Sequence, residues 1–152
     1  MRLELDEALC AKYPKMLVDR HADMRTTAMC WGFECGDGWY NLLDALMSNI
    51  QGHIDWRARQ RAYAIEQKSK KIPEEVPQVV LSQVKEKFGT LSFYYTGGDE
   101  RIFGMVMLAE TISGQTCEWC GKPGERRNGG WIRTLCDAHE EAHQRGEYDE
   151  SA

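Results

Sequence analysis

The chain has 152 residues, 42% hydrophobic and 28% charged, with a formal net charge of −5. This length accommodates one domain, or a modest domain with a small appendage, and the composition excludes an intrinsically disordered chain. The acidic balance argues against indiscriminate binding to nucleic acid. No apolar run approaches the roughly 18–20 residues that cross a bilayer, and the start of the chain lacks the hydrophobic region of a signal peptide. We therefore expect a cytoplasmic protein with no membrane partner, whose six cysteines stay reduced and act as metal ligands or small buried side chains.

The first predicted element is a short helix within residues 5–13 (LDEALCAKY). Pro14 ends it, because the residue before a proline disfavours the helical backbone conformation. Residues 18–38 have the composition of a loop with short extended pieces, and the sequence CGDG predicts a turn near their end.

A long helix is predicted from Trp39 to about Lys70, with Asp37 as its N-cap. Gly52 is its weak point, because glycine costs about 1 kcal/mol relative to alanine inside a helix. The evidence for this helix is a stripe of apolar residues spaced three and four apart, which comprises Leu42, Leu43, Leu46, Met47, Ile50 and Ile54.

Residues 78–99 predict a β-hairpin with its turn at 87–90, where Gly89 supplies the permissive backbone. Asp99 is then expected to cap a second helix. The alternation predicts that Val80, Val84 and Phe88 share one face of the first strand, and Leu91, Phe93 and Tyr95 one face of the second. The second helix would bury Ile102, Val106, Ala109 and Ile112.

The last third of the chain has the ligand spacing of a metal site. Cys117 and Cys120 form C-x2-C, and Cys136 and His139 form C-x2-H. Zinc prefers four tetrahedral ligands drawn from thiolate sulfur and imidazole nitrogen, so these four predict a structural zinc site. His143 lies one helical turn after His139 and is the alternative fourth ligand. Gly121 suits the tight turn that follows the second thiol.

The order of the predicted elements around these ligands is that of a treble-clef zinc site. A polar loop and a short strand (WIRTLC) separate the two ligand pairs, and a helix (DAHEEAHQR) carries the last ones. Because so short a segment buries little core, the ion should contribute folding free energy directly. We predict an α+β fold, with an α+β domain over 1–115 and a zinc module over 116–145 packed on it.

Cys30 and Cys35, with His21 and His53, would form a second metal site if all four converged, but loose spacing favours cysteines that act as buried hydrophobic residues. The aromatic segment 31–40 (WGFECGDGWY) could line a ligand pocket, although such clusters are more often core around a turn.

A basic surface is a further candidate. Arg57 and Arg61 are helical neighbours, and Lys68 falls near the same helix face. With Lys85 and Lys87 on the hairpin they could bind an anion, phosphate above all, because arginine binds phosphate through two hydrogen bonds. The alternative is an ordinary solvated helix face.

Four segments of the sequence are distinctive in combination, namely CGDGWYNLL (35–43), VKEKFGTLSFYY (84–95), TCEWCGKPG (116–124) and GWIRTLCDAH (130–139). With these segments the chain resembles small bacteriophage and prophage proteins that are usually left uncharacterised. The resemblance covers most of residues 33–140, and it implies a phage gene product in the cytoplasm of an infected bacterium. It brings no established activity or catalytic residues.

Proteins of this size and setting often act by binding, which suggests a non-enzymatic inhibitor of a bacterial defence system that binds a protein or a nucleotide signal. The alternative is a nucleic-acid-binding accessory factor that uses the basic helix and the hairpin. A nuclease of the HNH class is a weaker candidate. Asn128, His139 and His143 match its residue types, but His139 is expected to be committed to the zinc.

Overall fold

The computed structural model describes residues 1–147, which form a mixed α+β fold, as predicted. Within this range, no helix combines the length and apolar character needed to cross a lipid bilayer. The helices are α1 (Leu3–Lys12), α2 (Tyr40–Glu66), α3 (Glu100–Ser113) and α4 (Asp137–Gln144). The strands are β1 (Phe33–Glu34), β2 (Val80–Lys87), β3 (Thr90–Thr96), β4 (Glu125–Arg127) and β5 (Arg133–Leu135).

The larger sheet has the strand order β1-β2-β3, with β1 parallel to β2 and β2 antiparallel to β3. A bulge between Leu81 and Gln83 interrupts the alternation in β2. The extra residue places Leu81 and Val84 in the core, so the prediction that Val80, Val84 and Phe88 share one face is wrong.

The hairpin turn lies where it was predicted, at Phe88 and Gly89. Both residues have a positive φ, 54° and 82°, and two such residues in succession are what a two-residue hairpin turn of the primed type requires. Phe88 therefore belongs to the turn, and its side chain is 62% exposed.

The core lies where α2 and α3 meet the sheet. The predicted stripe of α2 is largely buried from Leu43 to Ile54, and α3 buries Ile102, Val106 and Ala109. Ile112 is 42% exposed, contrary to prediction. Ser113 takes the buried place at the end of α3 because its hydroxyl group accepts a hydrogen bond from the Leu91 N–H and donates one to the Glu110 carbonyl.

Of the two predicted helix caps, the one at Asp99 is confirmed and the one at Asp37 is wrong. Asp99 caps α3, since its carboxylate accepts a hydrogen bond from the Ile102 N–H at 3.1 Å. Asp37 does not cap α2. The chain makes a 3-10 turn over Asp37–Trp39 before α2 begins, and the Asp37 carboxylate binds the backbone N–H and the guanidinium of Arg2.

Asp99 also joins α3 to α2, because its second carboxylate oxygen lies 2.8 Å from His53 Nε2. Burial tends to raise the pKa of Asp99, but hydrogen bonds from His53 and from the Ile102 N–H outweigh burial and hold that pKa below its usual range. Because the pKa of Asp99 is lower in the folded state than in the unfolded state, its carboxylate stabilises the fold at pH values above the unfolded-state pKa. This stabilisation is lost as the pH falls through the folded-state pKa.

We expect Asp99→Ala to lower the free energy of unfolding by about 1–2 kcal/mol at pH 7, because α3 loses its cap. The difference from the unsubstituted protein should shrink as pH falls below about 4. Asp99→Asn, which can still cap, should lose less. Urea unfolding at a series of pH values measures this, and equal stability of Asp99→Ala and the unsubstituted protein at pH 7 would contradict it.

Candidate metal centre

Cys117, Cys120, Cys136 and His139 come together at one place. Their sulfur and imidazole nitrogen atoms all lie within 4.8 Å of one another. Cys117 and Cys120 lie in the turn between α3 and β4, Cys136 is the N-cap of α4, and His139 lies in the first turn of α4. The antiparallel pairing of β4 with β5 brings the second ligand pair back to the first.

The separations suit a tetrahedral ion. Cys117 Sγ and Cys136 Sγ lie 3.3 and 3.4 Å from His139 Nδ1, and Cys120 Sγ lies 3.9 Å from Cys136 Sγ. Ligand atoms arranged tetrahedrally around zinc, at bond lengths of about 2.3 Å for sulfur and about 2.0 Å for nitrogen, would be roughly 3.5–3.8 Å apart. The side chains are therefore close to a coordinating arrangement.

The thiols of Cys117 and Cys136 have pKa values shifted in opposite directions. Cys117 is fully buried, and burial raises its pKa to about 11. Burial also acts on Cys136, but hydrogen bonds from the His139 N–H and from the neighbouring thiols outweigh it and lower the pKa of Cys136. A position at the start of a helix favours a thiolate in the same way.

His139, and not His143, is the imidazole of the cluster. The indole ring of Trp119 packs against it, with ring centroids 5.3 Å apart, and thereby restricts its orientation. His143 lies one turn further along α4, where its ring approaches the edge of Trp119 at 6.1 Å.

The turn that carries Cys117 and Cys120 rests directly on the loop that precedes α2. The N–H of Gly38 donates to the Glu118 carbonyl at 2.7 Å, and the Trp39 indole donates to the Thr116 carbonyl at 2.9 Å. A Cβ on Gly38 would lie 2.3 Å from the Cys117 carbonyl oxygen, and one on Gly36 would lie 2.4 Å from the Glu118 carbonyl oxygen. Glycine is therefore required at both positions.

Glu118 is a buried residue of this contact, and no sequence pattern indicated its role. One carboxylate oxygen accepts a hydrogen bond from the Gly36 N–H at 2.9 Å. The other oxygen is buried and has no hydrogen-bond donor within residues 1–147. Burial raises the pKa of Glu118, which favours the neutral acid.

The aromatic segment 31–40 is mainly core around this loop. Phe33 and Trp39 are buried, whereas Trp31 is 61% exposed. The glycines of the segment serve the contact with Cys117 and Glu118, a role that residue composition alone did not indicate.

The second cysteine pair does not form a metal site with the two histidines. Cys35 is buried, the Cys30 thiol donates to the Thr27 carbonyl, and His53 binds Asp99. Within the described part of the chain, the group formed by Cys117, Cys120, Cys136 and His139 is the single cluster with metal-binding geometry.

Four of the five residues of the predicted anion surface lie in two settings, and Lys68 lies beyond the end of α2 rather than on its face. Arg57 and Arg61 donate hydrogen bonds to the backbone carbonyls of Glu74 and Pro73. Lys85 and Lys87 line a groove beside the hairpin turn. A surface shared by all four stays a prediction.

Comparisons with protein-family models, with curated proteins and with solved structures found no match for this chain. The resemblance to small phage proteins therefore stays a prediction, and the site is interpreted from its own geometry.

The contact of Gly38 with the cysteine turn can be tested by Gly38→Ala. We expect it to lower the free energy of unfolding by about 1–3 kcal/mol, because the new Cβ meets backbone atoms that cannot move independently. Gly52→Ala is the matched control. Its Cβ would meet nothing within 4 Å on α2, so it should stabilise the protein by up to about 1 kcal/mol. Unfolding of Gly38→Ala at the same urea concentration as the unsubstituted protein would contradict the expectation.

Proposed function

We propose that Cys117, Cys120, Cys136 and His139 bind a structural zinc ion, and that the chain is a non-enzymatic accessory protein that acts by binding. The observation that carries the proposal is the close approach of three sulfur atoms and one imidazole nitrogen, all within 4.8 Å. Thiolate and imidazole ligands in a tetrahedral set favour zinc over the harder cations, which prefer oxygen.

The elements around the ligands support a treble-clef-like arrangement. The C-x2-C turn comes first, the antiparallel pair of β4 and β5 follows, and α4 supplies the last two ligands from its first turn. The cluster of buried side chains around the ligands is small, comprising Cys117, Trp119 and Leu135, so a bound ion would contribute much of the folding free energy there.

Four protein ligands leave no open position on a tetrahedral ion, and catalytic zinc sites need one for water or substrate. The nuclease hypothesis also weakens, because it requires His139 to be free, whereas His139 Nδ1 lies 3.3–3.4 Å from two thiols. Asn128 and His143 line a separate groove beside α4. The four-ligand set therefore supports a structural rather than a catalytic ion, which is compatible with a protein that acts by binding.

The resemblance to small phage proteins supplies the setting of the proposal, which is the cytoplasm of an infected bacterium. In that setting the chain would inhibit a bacterial defence system by contact with a host protein or with a nucleotide signal. The zinc module would act as a rigid part of the binding surface.

The metal is tested by elemental analysis of protein purified without chelators. We expect a single zinc ion per chain, and loss of most of it in Cys136→Ser and His139→Ala, since each removes one of four ligands. Cys30→Ser and His143→Ala are matched controls that should keep the zinc, because both residues lie outside the cluster. Protein purified without stoichiometric zinc would refute the proposal, and so would zinc that depends on His143 but not on His139.

The anti-defence function is tested in bacterial strains that each carry one defined defence system. Expression of the chain should restore plaque formation by a restricted phage in at least one strain. Cys136→Ser should abolish the rescue, because the module loses its ion, and Cys30→Ser should retain it. Failure across the whole panel would contradict the anti-defence function while leaving the zinc site intact. Nucleotide released from the active protein by heat would identify a sequestered signal, and its absence would favour a protein partner.

A further inference from the structure

A loop of the main sheet meets a loop of the zinc module, and together they form a groove of about 400 Å³. One loop is the β2–β3 turn, and the other is the connection from β4 to β5. The Thr134 hydroxyl donates to the Gly89 carbonyl, and the Trp131 indole donates to a Glu86 carboxylate oxygen at 3.1 Å. These bonds hold the loops together, and the volume lies in the range of small-molecule binding sites. The lining residues are Lys85, Glu86, Lys87, Phe88 and residues 129–132.

The groove presents two large aromatic side chains to solvent. Phe88 is 62% exposed and Trp131 is 65% exposed. Phe88 also has a φ of 54°, a conformation that is rarely adopted by a bulky residue. A turn that keeps phenylalanine at such a position, with its ring in water, indicates a role other than core packing.

Cationic groups lie beside these rings. Lys87 Nζ is 5.8 Å from the centre of the Phe88 ring, and the Arg133 guanidinium carbon is 5.9 Å from the Trp131 ring. Lys85 also lines the groove. Glu86 is the single acid among the lining residues, and its two oxygens already accept hydrogen bonds from the Gly89 N–H and from the Trp131 indole. The groove is therefore locally positive on a chain whose net charge is −5.

We propose that this groove binds single-stranded nucleic acid. Its bases would stack on Trp131 and Phe88, and its phosphates would contact Lys85, Lys87 and Arg133. Exposed aromatic faces beside cations fit this ligand, because unpaired bases offer flat faces and the backbone offers a charge at each step. In a duplex the bases are already stacked on one another, so the rings would have no face to bind.

The groove is a binding site distinct from the proposed zinc ion. It rests in part on the proposed zinc module, because Trp131 lies between β4 and β5 of that module. The alternative hypothesis from the sequence assigns nucleic-acid binding to the basic helix and the hairpin. The groove instead pairs the hairpin with the module and does not require Arg57 or Arg61.

The test is fluorescence anisotropy with labelled dT and rU 12-mers in about 50 mM salt, on zinc-containing protein. Binding should weaken with salt, with a slope of log affinity against log salt of about −2 for three phosphate contacts. A duplex of equal length and a poly-glutamate peptide are the competing ligands. Both should bind at least fivefold more weakly than the single strands, and equal binding of either would overturn the proposal.

Trp131→Ala and Phe88→Ala should each weaken binding about fivefold or more, the loss expected for one stacked base. Trp31→Ala is the matched control, because Trp31 is comparably exposed, at 61%, but does not line the groove. Lys85→Ala with Lys87→Ala should reduce the salt slope. Unchanged affinity in Trp131→Ala and Phe88→Ala would overturn the proposal. If Trp131→Ala loses its zinc, Phe88→Ala and the lysine variant on the hairpin decide the outcome.

Zinc content measured on the same samples separates the two proposals. Zinc-containing protein that binds neither oligonucleotide refutes the groove and leaves the zinc site standing. Protein that binds through Trp131 and Phe88 without containing zinc supports the groove and refutes the zinc site.

Discussion

The structure depends on a close backbone contact between the loop at residues 36–38 and the turn that carries Cys117 and Cys120. Three donors from the loop and the start of α2, namely the N–H groups of Gly36 and Gly38 and the indole of Trp39, each meet an acceptor in residues 116–118. Since Trp39 is also fully buried beneath α2, the contact joins the cysteine turn to the main core. The position of Cys117 is therefore set by residues about 80 positions earlier in the chain, as the separation in the Gly36–Glu118 hydrogen bond shows.

This contact explains why so short a C-terminal segment has a defined geometry. Its own buried cluster is limited to Cys117, Trp119 and Leu135, with Cys136 and Ala142 partly buried against it, far less than an independent fold requires. One further support comes from outside the segment, through the hydrogen bond that the Thr134 hydroxyl donates to the Gly89 carbonyl. The predicted boundary at residue 115 is thus crossed by several hydrogen bonds, and an ion would add to supports that already exist.

The sequence was informative wherever local pattern determines structure. The stripe of α2, the turn at Gly89 and the cap at Asp99 each depend on neighbouring residues, and the spacing of the four ligands reflects a local geometric requirement.

The predictions that failed have other causes. The Asp37 carboxylate binds Arg2 instead of capping α2, and Ser113 is buried in place of Ile112 because its hydroxyl group accepts a hydrogen bond from Leu91. The bulge in β2 adds a residue that the alternation of the sequence does not reveal. Strand β1 has two residues and so carries no readable alternation, and the glycines at 36 and 38 resembled an ordinary turn because their partners lie in the cysteine turn.

The same long-range contacts connect the cluster of three cysteines and His139 to the groove between the two loops. Thr134 is followed immediately by Leu135 and Cys136, so the residue that binds the hairpin turn lies two positions before a member of the cluster. Movement of Cys136 would therefore shift Thr134 relative to Gly89, and with it Trp131 relative to Glu86. An ion bound to Cys136 would fix one wall of the groove against the other without contacting anything in it. A structural metal and a binding surface would thus be linked in one arrangement, because an ion held by the cluster would define the shape of a groove formed by different residues.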